Sequence, residues 1–92
     1  MGTNRNVRDL PDVESGLTFR FFYDRAERTR LHVEAAHAVT PGEAIETFFA
    51  GSTVRIDARD CYETSTDTHI LAWLWMDDPY NTHVMVITCV TR

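Results

Sequence analysis

The chain has 92 residues, with 14 acidic side chains against 9 basic ones, all arginine, for a formal charge of −5 with histidine neutral. This length makes one domain, since domains run from roughly 50 to 250 residues, and 43% apolar with 11% aromatic residues excludes a disordered chain. No apolar run approaches the roughly 18 residues of a membrane span, and the acidic balance opposes broad electrostatic attachment to nucleic acid.

Residues 1–16 are polar, unpatterned and broken by Pro11 and Gly16. They read as a flexible arm ahead of a single domain over 17–92. The opening stretch MGTNRNVRDL lacks an apolar segment, so no secretion signal is expected. Cys61 and Cys89 fall in no CxxC or CxH spacing. They are expected as free thiols in a reducing cytoplasm, with no structural zinc.

Leu17 to Phe22 alternates as a strand, with Leu17, Phe19 and Phe21 on one face. Asp24 followed by Glu27 has the spacing of a helix start, and Arg25 to His37 carries good helix formers with charge pairs at Asp24–Arg28 and Arg30–Glu34. Thr40-Pro41-Gly42-Glu43 is the sharpest local signal: an N-cap, proline at the first helical position and a glutamate closing the capping box. Ala44, Ile45, Phe48 and Phe49 form its apolar stripe, and Gly51 ends it.

From residue 53, Val54, Ile56 and Ala58 alternate with Arg55, Asp57 and Arg59, the mark of a strand with one wet face. Residues 60–68 read as a polar loop, or with the strand continuing through Tyr62. His69 to Met76 and His83 to Val90 are apolar on both faces and joined by the turn cluster 77–82, which predicts a hairpin. The expected fold is α+β, in the order β-α-α-β-β-β, an antiparallel sheet with two helices packed on one face.

If Met76 faces His83, opposed residues in the hairpin sum to 159, so Trp75 meets Val84, Trp73 meets Val86 and His69 meets Val90. One face then carries Trp73, Trp75, Val84 and Val86, the other Leu74, Met76, Met85 and Ile87. Two helices cover only one face. The tryptophan face is therefore an expected interface, unless the N-terminal arm folds over it or both rings are edge-packed within the fold.

The four histidines do not converge in this reading. His69 and His83 stand about 24 Å apart along the hairpin, and His32 and His37 some 140° apart around a helix. No metal site and no cofactor are expected. Asp77-Asp78 is ordinary turn chemistry. No glycine-rich phosphate loop, GxSxG or kinase signature is present. The arginines are the better candidates: Arg55 and Arg59 on the wet strand face, with Arg25 and Arg28 on the exposed helix, can grip RNA phosphates while a histidine or tyrosine moves protons. Against this stands a solvated face balanced by Asp57, Asp60 and Glu63.

The stretch from Leu31 to Glu46, LHVEAAHAVTPGEAIE, resembles the KHGVSPEEAIE segment of the BrnT-like toxin family. Phe21-Phe22-Tyr23-Asp24 stands where that family has a short strand ending in an aromatic and Asp, and the order of elements matches over about residues 19–90. The resemblance implies a fold like that of RelE ribonucleases, which cleave RNA through basic side chains, and a partner antitoxin. Ala38 occupies a position that is usually glycine, and the family's arginine-rich last strand is expected either to be absent or to be His83–Arg92 with its arginines replaced at Thr88, Cys89 and Val90. The first expectation is thus a degenerate, non-enzymatic toxin-like protein acting as a homodimer, or with a small antitoxin-like partner, through Trp73, Trp75, Val84 and Val86. The alternative is an active metal-independent endoribonuclease toxin, with His32, Tyr62 or His69 as acid or base and Arg55 and Arg59 on phosphate. A small-ligand module between helices and sheet is a third, with no particular ligand indicated.

Overall fold

The computed structural model describes residues 6–92. Val7–Asp12 (β1) and Leu17–Phe22 (β2) form an antiparallel hairpin in which Leu10 faces Phe19. It turns through Gly16, whose φ of +77° is the left-handed conformation that favours glycine. The expected arm is thus, over these residues, the first strand of the sheet; its first five residues lie outside the described ones. Pro11 is tolerated because β1 is an edge strand.

Helices His32–His37 (α1) and Pro41–Ala50 (α2) follow, then strands Ser52–Ile56 (β3), Cys61–Ser65 (β4), His69–Trp75 (β5) and His83–Thr91 (β6). The strand order is β1-β2-β6-β5-β4-β3. All neighbours are antiparallel except β2 and β6, which run parallel with Phe19 beside Val84. The α+β class holds, with six strands where four were expected. Residues 61–65, expected as loop, form β4. Beyond Ile56 the expected strand gives way to a 3₁₀ turn over Asp57–Arg59.

The predicted helix from residue 25 is also shortened. The Asp24 carboxylate accepts from the backbone N–H of Ala26 and Glu27, both at 3.0 Å, but closes a turn instead of starting a helix. Arg30 pairs with Glu27 at 2.9 Å, and its guanidinium also reaches the carbonyl of Glu34. α1 ends at Ala38, where φ is 55°; the Ala38 N–H bonds the Glu34 carbonyl and the Val39 N–H that of Val33. This is a Schellman-type end, which accounts for a glycine preference that Ala38 does not meet. The capping box of α2 forms as predicted, with Glu43 N–H on Thr40 Oγ1 at 3.1 Å and Thr40 N–H on Glu43 Oε1 at 2.9 Å. Gly51 follows for lack of space: a Cβ there would lie 2.6 Å from the Ser65 carbonyl oxygen.

Both helices pack on one sheet face, because Val33 and Ala44 share a single core with Phe19, Phe21, Leu71, Trp73, Val84 and Val86. Phe48 meets Trp73 edge-on at 4.8 Å, and Tyr62 stacks on Trp73 at 4.7 Å. The Trp73 Nε1–H donates to the buried Thr64 hydroxyl at 2.8 Å, so the indole's polar atom is satisfied inside. The expected interface is thereby corrected. Trp73, Val84 and Val86 are buried and Trp75 packs against them, so this face is the one the helices cover. The opposite face carries Leu74, Met85, Val54, Phe22 and Ile87, the last three exposed. Trp75 does meet Val84 and Trp73 does meet Val86, but a bulge beyond Trp73 shifts the register so that His69 meets Thr91.

Candidate functional site around Asp24 and His32

The loop from Asp24 to Leu31 leaves the C-terminal end of β2 and returns to the start of α1. It is tied at its neck. Tyr23 and Leu31 form an isolated antiparallel bridge, and the Asp24 N–H bonds the Arg30 carbonyl at 2.8 Å. Leu31, buried in the core, anchors the returning end and presents His32 as the first residue of α1. The His32 Nδ1 thus lies 3.1 Å from Asp24 Oδ1, while Asp24 Oδ2 holds the two turn N–H groups.

This geometry fixes protonation. The Glu27 N–H first, then the His32 ring, hold the Asp24 carboxyl below its ordinary value, so it is ionised and can only accept. Nδ1 must then carry the ring proton, which leaves Nε2 as the basic nitrogen of the neutral imidazole. The Asp24 side chain is 14% exposed and that of His32 39%, so the carboxylate is shielded and the ring remains accessible.

Two adjoining clefts meet here. One, of about 360 Å³, is lined by Phe22, Tyr23, Ala26 and Ile87 together with Asp24, Arg25 and His32. The other, of about 630 Å³, is lined by Asn6, Tyr23, Asp24, Arg25 and Arg28. Arg25 and Arg28 are exposed and enter no ion pair among the described residues. Arg20, Arg30, Arg55 and Arg59 are each held by a carboxylate.

The other candidates lie elsewhere. Tyr62 is stacked on Trp73, with the Arg55 guanidinium 5.0 Å from its ring centroid. Arg55 pairs with Asp60 and, at 3.5 Å, with Asp57; Arg59 pairs with Glu63 at 3.4 Å. Arg55 is exposed, as a wet strand face requires, and stands beside Tyr62 in the register, but neither guanidinium is unpaired for phosphate. His69 Nδ1 contacts the Thr68 hydroxyl at 2.8 Å, and its Nε2 is buried 3.6 Å from Glu43 Oε2. Its cleft also carries Glu46 and Asp67, an acidic wall that repels phosphate. His32 and His37, expected to diverge, meet edge-to-face at 5.2 Å across the single short helix. Among the described residues no three His, Cys, Asp or Glu side chains are grouped to hold a metal.

Asp24 is the residue that sequence reading placed in the wrong role. Its helix-cap spacing was legible, but its pairing with His32 eight positions on is created by the loop closure. The buried thiols offer no nucleophile: burial pushes Cys89 up to about 11, and Cys61 is 2% exposed. No protein-family model matches the chain, and no curated protein or solved structure matches it significantly.

Proposed function

We propose that the chain is a small endoribonuclease of the toxin-like type whose cleavage step needs no metal. The observation that carries this reading is the Asp24–His32 pair beside two guanidiniums that have no carboxylate partner among the described residues. The resemblance of residues 31–46, His32 among them, to BrnT-like toxins is in keeping with it. His32 Nε2 takes the proton from a ribose 2′-hydroxyl as that oxygen attacks the adjacent phosphorus. The bond from phosphorus to the 5′-oxygen breaks, and the leaving oxygen receives a proton back from the imidazolium. The products are a 2′,3′-cyclic phosphate and a free 5′-hydroxyl, and the enzyme is regenerated. Arg25 and Arg28 neutralise the phosphate as charge builds on it, and Asp24 stabilises the imidazolium. The acidic whole then limits loose adhesion to RNA and leaves binding to a local site. A cytoplasmic toxin of this kind calls for a neutralising partner protein.

The test is cleavage of a single-stranded RNA by purified wild type, His32→Ala and the Arg25→Ala, Arg28→Ala double variant, with Arg59→Ala as a control. Removing the base should lower the rate by about 10²–10⁴, and Arg59→Ala should cleave like wild type. Equal rates for His32→Ala and wild type, or no cleavage by any form, would reject the proposal.

A second, non-enzymatic reading is favoured by the uncovered sheet face with Val54, Leu74 and Met85. Its charges are paired within the chain, Asp9 with Arg20 and Arg59 with Glu63, so a second copy can meet it without like-charge repulsion. Light scattering across a concentration series tests this: a dimer that Val54→Arg dissociates supports it, and a monomer throughout removes it.

A further inference from the structure

We propose that the double cleft takes one unpaired nucleotide of a single strand, its base against Phe22 and Ile87 and its phosphate on Arg25 and Arg28. The inference rests on the ribonuclease reading and names how its substrate is held.

The two clefts share Tyr23, Asp24 and Arg25, yet their chemistry differs. One offers cationic groups and the other an apolar platform, which is the division found within a nucleotide. Phe22 is 36% exposed, and among the described residues its ring enters no ring–ring contact, whereas Phe19, Phe48, Phe49, Tyr62 and both tryptophans are engaged. An exposed aromatic ring in the same cleft as the Arg25 guanidinium is a stacking surface for a base. Ile87 falls at the bulge of β6, where two residues oppose one and the side chain is re-aimed. It stands 41% exposed on the same cleft. Parallel pairing of β2 with β6 brings these two side chains to one end of the sheet. A base inside a duplex presents only its edges, so the platform admits only a base that is out of its stack.

The geometry also places the histidine. His32 borders the apolar cleft while Arg25 lines both, so the ribose joining base to phosphate lies across the Asp24–His32 pair. Phe22 and Ile87 are thus specificity-determining residues and take no part in proton transfer.

Calorimetry with adenosine 3′-monophosphate and with inorganic phosphate tests the proposal on wild type, Phe22→Ala, Phe22→Leu and Ile87→Ser, each checked for a native circular dichroism spectrum. Wild type should bind the nucleotide more tightly than phosphate. Phe22→Ala should weaken the nucleotide roughly ten- to hundredfold and leave phosphate unchanged. Phe22→Leu and Ile87→Ser should lie between. Equal affinity of wild type for the two ligands, or a nucleotide preference that survives Phe22→Ala, overturns the platform. If that happens while His32-dependent RNA cleavage persists, the ribonuclease reading stands without it. If the nucleotide binds as described and RNA stays intact, the platform stands and the ribonuclease reading falls.

Discussion

Replacing Asp24 by Asn changes one atom and separates two roles of that side chain. The amide oxygen of Asn can still accept from the Ala26 and Glu27 N–H groups, both at 3.0 Å, so the turn is retained. The amide nitrogen then faces His32 Nδ1 at the position where a carboxylate oxygen stood 3.1 Å away. A donor there requires Nδ1 to accept, which moves the ring proton to Nε2 and removes the base. The imidazolium also loses its counter-charge. Loss of a positioned base is worth about 10²–10⁴ in rate, or roughly 3–5.5 kcal/mol of activation free energy. Cleavage of a fluorogenic RNA oligonucleotide measures this, and nitrogen chemical shifts of the His32 ring report the tautomer directly. A variant that folds, keeps the Nδ1–H tautomer and cleaves at the wild-type rate would refute the reasoning.

Three further outcomes follow from the packing. Ala38→Gly relieves a left-handed residue at the end of α1 and should raise stability by about 0.5–1 kcal/mol, the strain relieved exceeding the added chain entropy, as read by chemical denaturation. Thr64→Val removes the acceptor of the buried Trp73 N–H and should cost about 1–3 kcal/mol, with a change in tryptophan fluorescence. Stability should also fall in acid: Asp9, Asp24 and Asp77 are held below their ordinary 3.8 and Glu43 below 4.5, so their contributions are complete above those values and vanish as pH drops through the lower native ones. A thermal melting series from pH 6 to pH 2 checks the direction.

The elements written in local chemistry were legible. The capping box of α2 lies within four residues, and Trp75 opposite Val84 follows from the position of the turn alone. What escaped depends on distant partners. β1 has only Val7 and Leu10 to mark a strand, and it forms because β2 pairs with it. The parallel contact of Phe19 with Val84 joins segments more than sixty positions apart and leaves no periodic trace. Hairpin alternation separated Trp73 and Val86 from Leu74 and Met85 correctly but could not say which set the helices cover. His32 was identifiable as a candidate by residue type; its partner was not, because Asp24 belongs to a turn that looks like a helix start. The sequence already set Asp57, Asp60 and Glu63 against Arg55 and Arg59, and those pairs form; Arg28, expected to pair with Asp24 along a helix, enters no ion pair among the described residues because that helix does not form.

The most direct measurement is end analysis of a single-stranded RNA incubated with wild type and with His32→Ala in the presence of a metal chelator. Fragments bearing 2′,3′-cyclic phosphates and 5′-hydroxyls from wild type, reduced at least a hundredfold by His32→Ala, are the predicted result. Intact RNA with wild type, or identical fragments from both proteins, would contradict a cleavage site built on Asp24 and His32.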